Sequence, residues 1–119
     1  MQYCIIPGLE KPVMNYDEGE DGNPMFEYYA AVTRRDHDGF PEGGWHPEEA
    51  LDRISALKMF TQWAAYGEFS EQKRGTIKKG FDADLTVLSH DITSCAPEEI
   101  LETTVLATIV NGKAVYSKL

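Results

Sequence analysis

The chain has 119 residues, enough for one domain with one modest core. Apolar residues make up 42% and charged residues 26%, an ordinary globular mix. The net charge of −9 argues against nucleic acid or an anionic membrane as partner, since both would repel it, and no apolar run approaches the roughly 20 residues of a membrane helix.

The start, MQYCIIPGL, lacks the basic n-region and long apolar h-region of a secretory signal. With only Cys4 and Cys95, there is no disulfide framework. Free thiols in a reducing cytoplasm are the expectation.

Residues 1–22 read as a divergent N-terminal segment. A short apolar patch, Tyr3 to Ile6, is followed by Pro7, Pro12 and the run NYDEGEDG. Four carboxylates and two glycines there describe an exposed acidic loop. Carboxylates suit calcium, but the alternating ligand spacing of an EF-hand is missing.

Residues 23–119 read as a single α+β domain, mainly helical over 23–72 and mainly β over 73–119. Asn23 is a natural N-cap, with Pro24 at the first helical position of NPMFEYYAAVTRR. Three glycines and a proline in DHDGFPEGGW then break the chain. A second, longer helix is expected from Pro47, with Glu48 and Glu49 at the positive end of its dipole and Gly67 as its stop. Ala50, Ile54, Leu57, Phe60, Thr61 and Ala64 would line its buried face. Met59, Trp63 and Tyr66 project on the opposite side and are expected to meet a second copy or another chain.

In ADLTVLS, Ala83, Leu85 and Val87 alternate with Asp84, Thr86 and Leu88, the period of a strand. APEEIL reads as a short helix starting at Pro97. TVLATIVNGKAVYSK is a hairpin signal: two apolar, β-branched runs flank Asn111-Gly112, which suits a two-residue turn with positive φ twice. The expected fold is therefore two helices and a small antiparallel or mixed sheet with a C-terminal hairpin.

Candidate chemistry is sparse. His37, His46 and His90 have neither the i, i+2 nor the i, i+4 spacing of a ligand pair. Asp36, His37 and Asp38 are consecutive and form a weak metal candidate, because neighbours on a chain point different ways. His46 reads as a capping or surface residue and His90 as solvated. No serine or cysteine sits in a nucleophile elbow, and no phosphate-binding glycine motif occurs. Asp82 and Asp84 lie two apart and could share a strand face, as paired catalytic carboxylates sometimes do. Asp82 instead falls in a turn just after Gly80, where a side chain bonds nearby backbone N–H groups, and Asp84 reads as a strand-entry residue. Gly75 is expected before a strand and Gly80 in a tight connection.

The segments AAVTR, GGW, ALKMFTQWAAY, GTIKKGFDADLTVL and TIVNGKAVY resemble the C-terminal end of metal-dependent amidohydrolases, nearest to the amidohydrolase 3 branch. The resemblance runs from about Asn23 to Tyr116. It implies a fragment of a composite β-sandwich together with a late helix from outside a (β/α)₈ barrel. In full-length relatives, one or two divalent metals, usually zinc, sit at the barrel's strand ends and activate water against a C–N bond. The relatives' H-x-H pair has no counterpart here. Their last ligand is an Asp in an S-D-x-P turn; Asp17 lies nearby, but the serine and proline are missing. Thr33 and Arg34 match positions on the active-site side of the barrel.

The resemblance thus implies no catalytic residue and no cofactor within this chain. Gly75, Gly80, Asp82, Asp84, Asn111 and Gly112 take structural roles. The exposed apolar surfaces imply a homodimer or a barrel-bearing partner chain.

Overall fold

The computed structural model describes residues 23–119. The acidic segment 1–22, with Cys4 and Asp17, lies outside the described residues. The described residues fold as α+β, with four α-helices and a three-stranded antiparallel sheet among them.

The first helix, α1 (Pro24–Thr33), starts as its sequence dictates: Asn23 caps it, its Oδ1 accepting the Met25 N–H at 3.0 Å. It ends where Arg34 turns left-handed at φ 60°.

The expected long helix from Pro47 is not continuous. Pro47–Glu49 closes only a 3₁₀ turn, and Ala50 is extended at ψ 141°. The effective cap is Asp52, whose carboxylate accepts the Ser55 N–H at 2.9 Å and the Ser55 hydroxyl at 2.7 Å. From it runs α2 (Arg53–Phe60), which breaks at Thr61 (φ −125°, ψ −94°) before α3 (Gln62–Gly67). The break displaces the expected face. Ala50 and Ile54 are exposed, whereas Ala56 and Ala65 are buried. Met59, expected to face outward, packs against the core; Trp63 is half-buried and Tyr66 exposed.

Gly75 explains how the chain passes this break. Its φ is +89°, and an added Cβ would lie 2.8 Å from the Ala65 Cβ and 2.9 Å from the Thr61 carbonyl oxygen. Only glycine can run that close to the helix junction. No strand follows it. Residues 75–84 form turns, bends and irregular chain, and the first strand, β1 (Leu85–Leu88), begins later than expected.

The short helix α4 (Pro97–Leu101) has half a capping box: Glu99 accepts the Ala96 N–H at 2.8 Å, and Ala96 has no side-chain oxygen to reciprocate. Strands β2 (Val105–Val110) and β3 (Lys113–Ser117) form the expected hairpin, with Asn111 at φ 51° and Gly112 at φ 75°. The sheet order is β1-β2-β3, with Leu85 opposite Ile109 and Val87 opposite Ala107.

The core is helical. Tyr28, Tyr29 and Ala31 of α1 meet Ala56, Ile92 and Ile100, while Leu88 brings the end of β1 against them. Strand β3 is exposed along its whole length. No helix among the described residues is long and apolar enough to cross a membrane.

Candidate functional site

A loop rich in polar side chains follows α1. Arg34 and Trp45 clasp each other: the Trp45 N–H donates to the Arg34 carbonyl at 2.8 Å, and Arg34 Nε donates to the Trp45 carbonyl at 2.9 Å. The guanidinium lies over the indole, 5.2 Å from its centroid. Gly44 makes this closure possible, since a Cβ there would lie 2.5 Å from the Thr33 carbonyl oxygen. The segment is further set by left-handed residues at Gly39, Gly43, Gly44 and His46.

Asp36 turns its Oδ1 onto its own loop, accepting the Asp38 and Phe40 amides, both at 2.9 Å. His37 stacks on Phe26 with ring centroids 4.9 Å apart. Its Nε2 lies 3.9 Å from Asp38, a loose ion pair at most. His46 Nδ1 meets Glu48 at 3.0 Å. Among the described residues no three His, Cys, Asp or Glu side chains converge as a metal site requires. The divalent metal that the resemblance implies therefore does not fit these residues. Asp17 lies outside them.

The two aspartates of the GFDADL stretch face different tasks. Asp84 Oδ1 accepts the Asn111 N–H at 2.9 Å, from 27 residues away, and the adjacent Ala83 carbonyl accepts the Gly112 N–H at 3.0 Å. The approach to β1 is thus laced to the hairpin turn between β2 and β3. Asp82 meets Arg74 at 3.3 Å, and its N–H donates to the Lys73 carbonyl at 2.7 Å. Their carboxylates serve separate partners rather than one reacting atom. Gly80, at φ +91°, turns the chain in open space.

Ser89 and His90 adjoin, with Oγ and Nδ1 3.0 Å apart. The hydroxyl also accepts the Thr104 N–H at 2.9 Å, so it anchors the β1–β2 edge. Cys95 is a half-buried free thiol with Arg53 Nη1 4.0 Å away.

Sequence reasoning missed the network that joins the halves of the chain. Tyr28, fully buried, directs its hydroxyl at the carbonyls of Ile92 (3.0 Å) and Arg53 (3.1 Å). Arg53 donates to Ile92 at 2.7 Å and to the Cys95 carbonyl at 2.9 Å. Burial raises the Tyr28 phenol above its ordinary pKa, partly offset by the Arg53 charge. Two D-x-x-S runs carried a readable signal. In both, Asp52 with Ser55 and Asp91 with Ser94, the carboxylate accepts the serine hydroxyl. Hydrogen bonds from Ser55 hold the Asp52 pKa down, and those from Thr93 and Ser94 do the same for Asp91.

With this geometry in place, comparison with known proteins assigns the chain. The amidohydrolase family model matches residues 16–116. "Putative amidohydrolase YtcJ" of Bacillus subtilis is 31% identical over 99 residues, covering 83% of this chain and 19% of that protein. The N-substituted formamide deformylase of Arthrobacter pascens is 34% identical over 96 residues, covering 81% of this chain and 17% of that protein. The chain thus spans about a fifth of the length of the curated relatives it matches. No solved structure matches it significantly. The chain belongs to the amidohydrolase family.

Proposed function

We propose that residues 23–119 are structural scaffold of an amidohydrolase, not catalytic on their own, and that the chain acts as a self-associating domain. One observation carries this reading. The aspartates in the most family-specific stretch bind the protein itself: Asp84 holds the Asn111 amide and Asp82 holds Arg74. The chain covers 17–19% of the length of the two relatives. Self-association is supported by exposed apolar side chains, with Val115 64% and Tyr66 56% accessible.

The test is elemental analysis of the purified chain together with hydrolysis assays on N-substituted formamides. No stoichiometric zinc and no turnover are expected. Stoichiometric zinc with turnover would overturn the reading.

A second reading follows from the relatives' names. The chain is then one subunit of an active metal-dependent hydrolase of C–N bonds, completed by a barrel-bearing partner. Affinity capture from the native host separates the two: recovery of a chain encoding an H-x-H barrel favours the split enzyme, and recovery of this chain alone favours the scaffold.

A further inference from the structure

The chain's charges are unevenly placed. Four of its cations, Lys73, Arg74, Lys78 and Lys79, fall within seven residues. The stretch from Asp36 to Asp52 holds Asp36, Asp38, Glu42, Glu48, Glu49 and Asp52 and no lysine or arginine. Two copies, each at −9, repel overall, so their association needs opposite charges brought together locally.

We propose that the segment of residues 69–81 docks onto the acidic stretch of residues 36–52 of a second copy. This names the surface for the self-association proposed above and rests on that reading. Lys73, Lys78 and Lys79 are exposed. Arg74 is engaged by Asp82 and Glu68 at 3.3 and 3.8 Å, so it orders the segment. Two apolar side chains of the same segment stand in water, Phe69 ahead of these cations and Ile77 between them, 93% and 89% accessible. Apolar anchors ringed by charge are the composition of a protein interface, whereas monomers rarely leave such anchors bare.

The segment is also pre-formed. Gly75 is wedged against the α2–α3 junction. The Asp82 N–H bonds the Lys73 carbonyl at 2.7 Å, and the Phe81 N–H bonds the Lys78 carbonyl at 3.0 Å. Little ordering entropy is then lost on docking. The complementary stretch is equally fixed: Asp36 pins the amides of Asp38 and Phe40, leaving the Asp38 side chain 82% and Phe40 71% accessible. A second copy is the occupant because this chain carries both halves of the match.

Sedimentation velocity on the full chain tests this. Wild type should associate at micromolar concentration and weaken about tenfold between about 0.05 and about 0.5 M NaCl. Lys73→Glu, Lys78→Glu and Lys79→Glu together, or Asp38→Lys with Glu42→Lys, should each give a folded monomer. Mixing the two variants should restore a complex. Association indifferent to salt and to both charge reversals, or no complex on mixing, overturns this surface and leaves self-association standing. A folded wild-type monomer overturns both.

Discussion

The Arg53 guanidinium donates to the Cys95 carbonyl at 2.9 Å across 42 residues of sequence. Its other nitrogen donates to Ile92, whose carbonyl also accepts the Tyr28 hydroxyl. One fork thus ties α2 to the turn ahead of α4, and α1 reaches the same carbonyl. Arg53→Ala leaves the Cys95 carbonyl without this donor and the Ile92 carbonyl with the Tyr28 hydroxyl alone, and its cost is set at about 2–3 kcal/mol for charge-assisted bonds. Tyr28→Phe costs less, about 1 kcal/mol, because Arg53 still serves Ile92. Urea unfolding of both variants and the double mutant measures the coupling, expected at about 0.5–1 kcal/mol. An unchanged midpoint for Arg53→Ala would show that the fork contributes nothing.

Two glycines with nearly equal φ should respond differently to alanine. Gly75→Ala meets the Ala65 Cβ and the Thr61 carbonyl oxygen in addition to left-handed strain, whereas Gly80→Ala meets nothing within 4 Å. Strain alone costs about 1–2 kcal/mol, and the forced shift at the α2–α3 junction adds about 1–3 kcal/mol for Gly75. Thermal melts compare them. Equal losses for the two would mean that the junction yields freely around residue 75.

Those two glycines also mark what the sequence could and could not reveal. Signals built from neighbours in the chain were readable. Asn23-Pro24 opens α1, Asn111-Gly112 turns the hairpin, and Pro97 opens α4, each through local backbone chemistry. Gly75 reads as a turn residue because periodicity says nothing about a position whose added Cβ would lie within 3 Å of the α2–α3 junction, 10–14 residues earlier. The helix from Pro47 failed for a related reason. Its carboxylates suit a helix start, but Asp52 with Ser55 offers a stronger cap five residues on. The Tyr28–Arg53–Ile92 network left no trace, since its members lie 25 and 39 residues apart. The candidate loop was legible as a break, but the Arg34–Trp45 clasp across it was not.

Stability should depend on pH at both ends. The buried Tyr28 phenol has a raised pKa. Folding therefore favours its neutral form, and that contribution is complete below about pH 10. It is lost as pH rises through the raised folded value. Ultraviolet titration should find one of the six tyrosines ionising last, together with unfolding, and Tyr28→Phe should remove that phase. Asp52 and Asp91 have lowered pKa values. Their contributions are present above about pH 4 and are lost as pH falls through the lowered values. Asp52→Asn keeps a capping oxygen without the titration, so it should flatten the acid limb while leaving neutral stability nearly unchanged. An acid limb of wild-type steepness in Asp52→Asn would exclude this site as a contributor.

Asp84 and Asp82 give the sharpest separation between a structural and a chemical role. Asp84 accepts the Asn111 amide and so holds the β2–β3 turn against the entry to β1. Asp84→Ala should cost about 1 kcal/mol and raise amide hydrogen exchange at Asn111 and Gly112. Asp84→Asn retains an oxygen where the amide needs one and should restore most of the protection. A metal ligand or catalytic base would not be rescued by an uncharged amide. Asp82 forms an exposed pair with Arg74, so Asp82→Ala should change stability by only about 0–1 kcal/mol. If Asp84→Asn exchanged as fast as Asp84→Ala at Asn111, the charge of this carboxylate would be what matters, and its assignment as a turn anchor would fail.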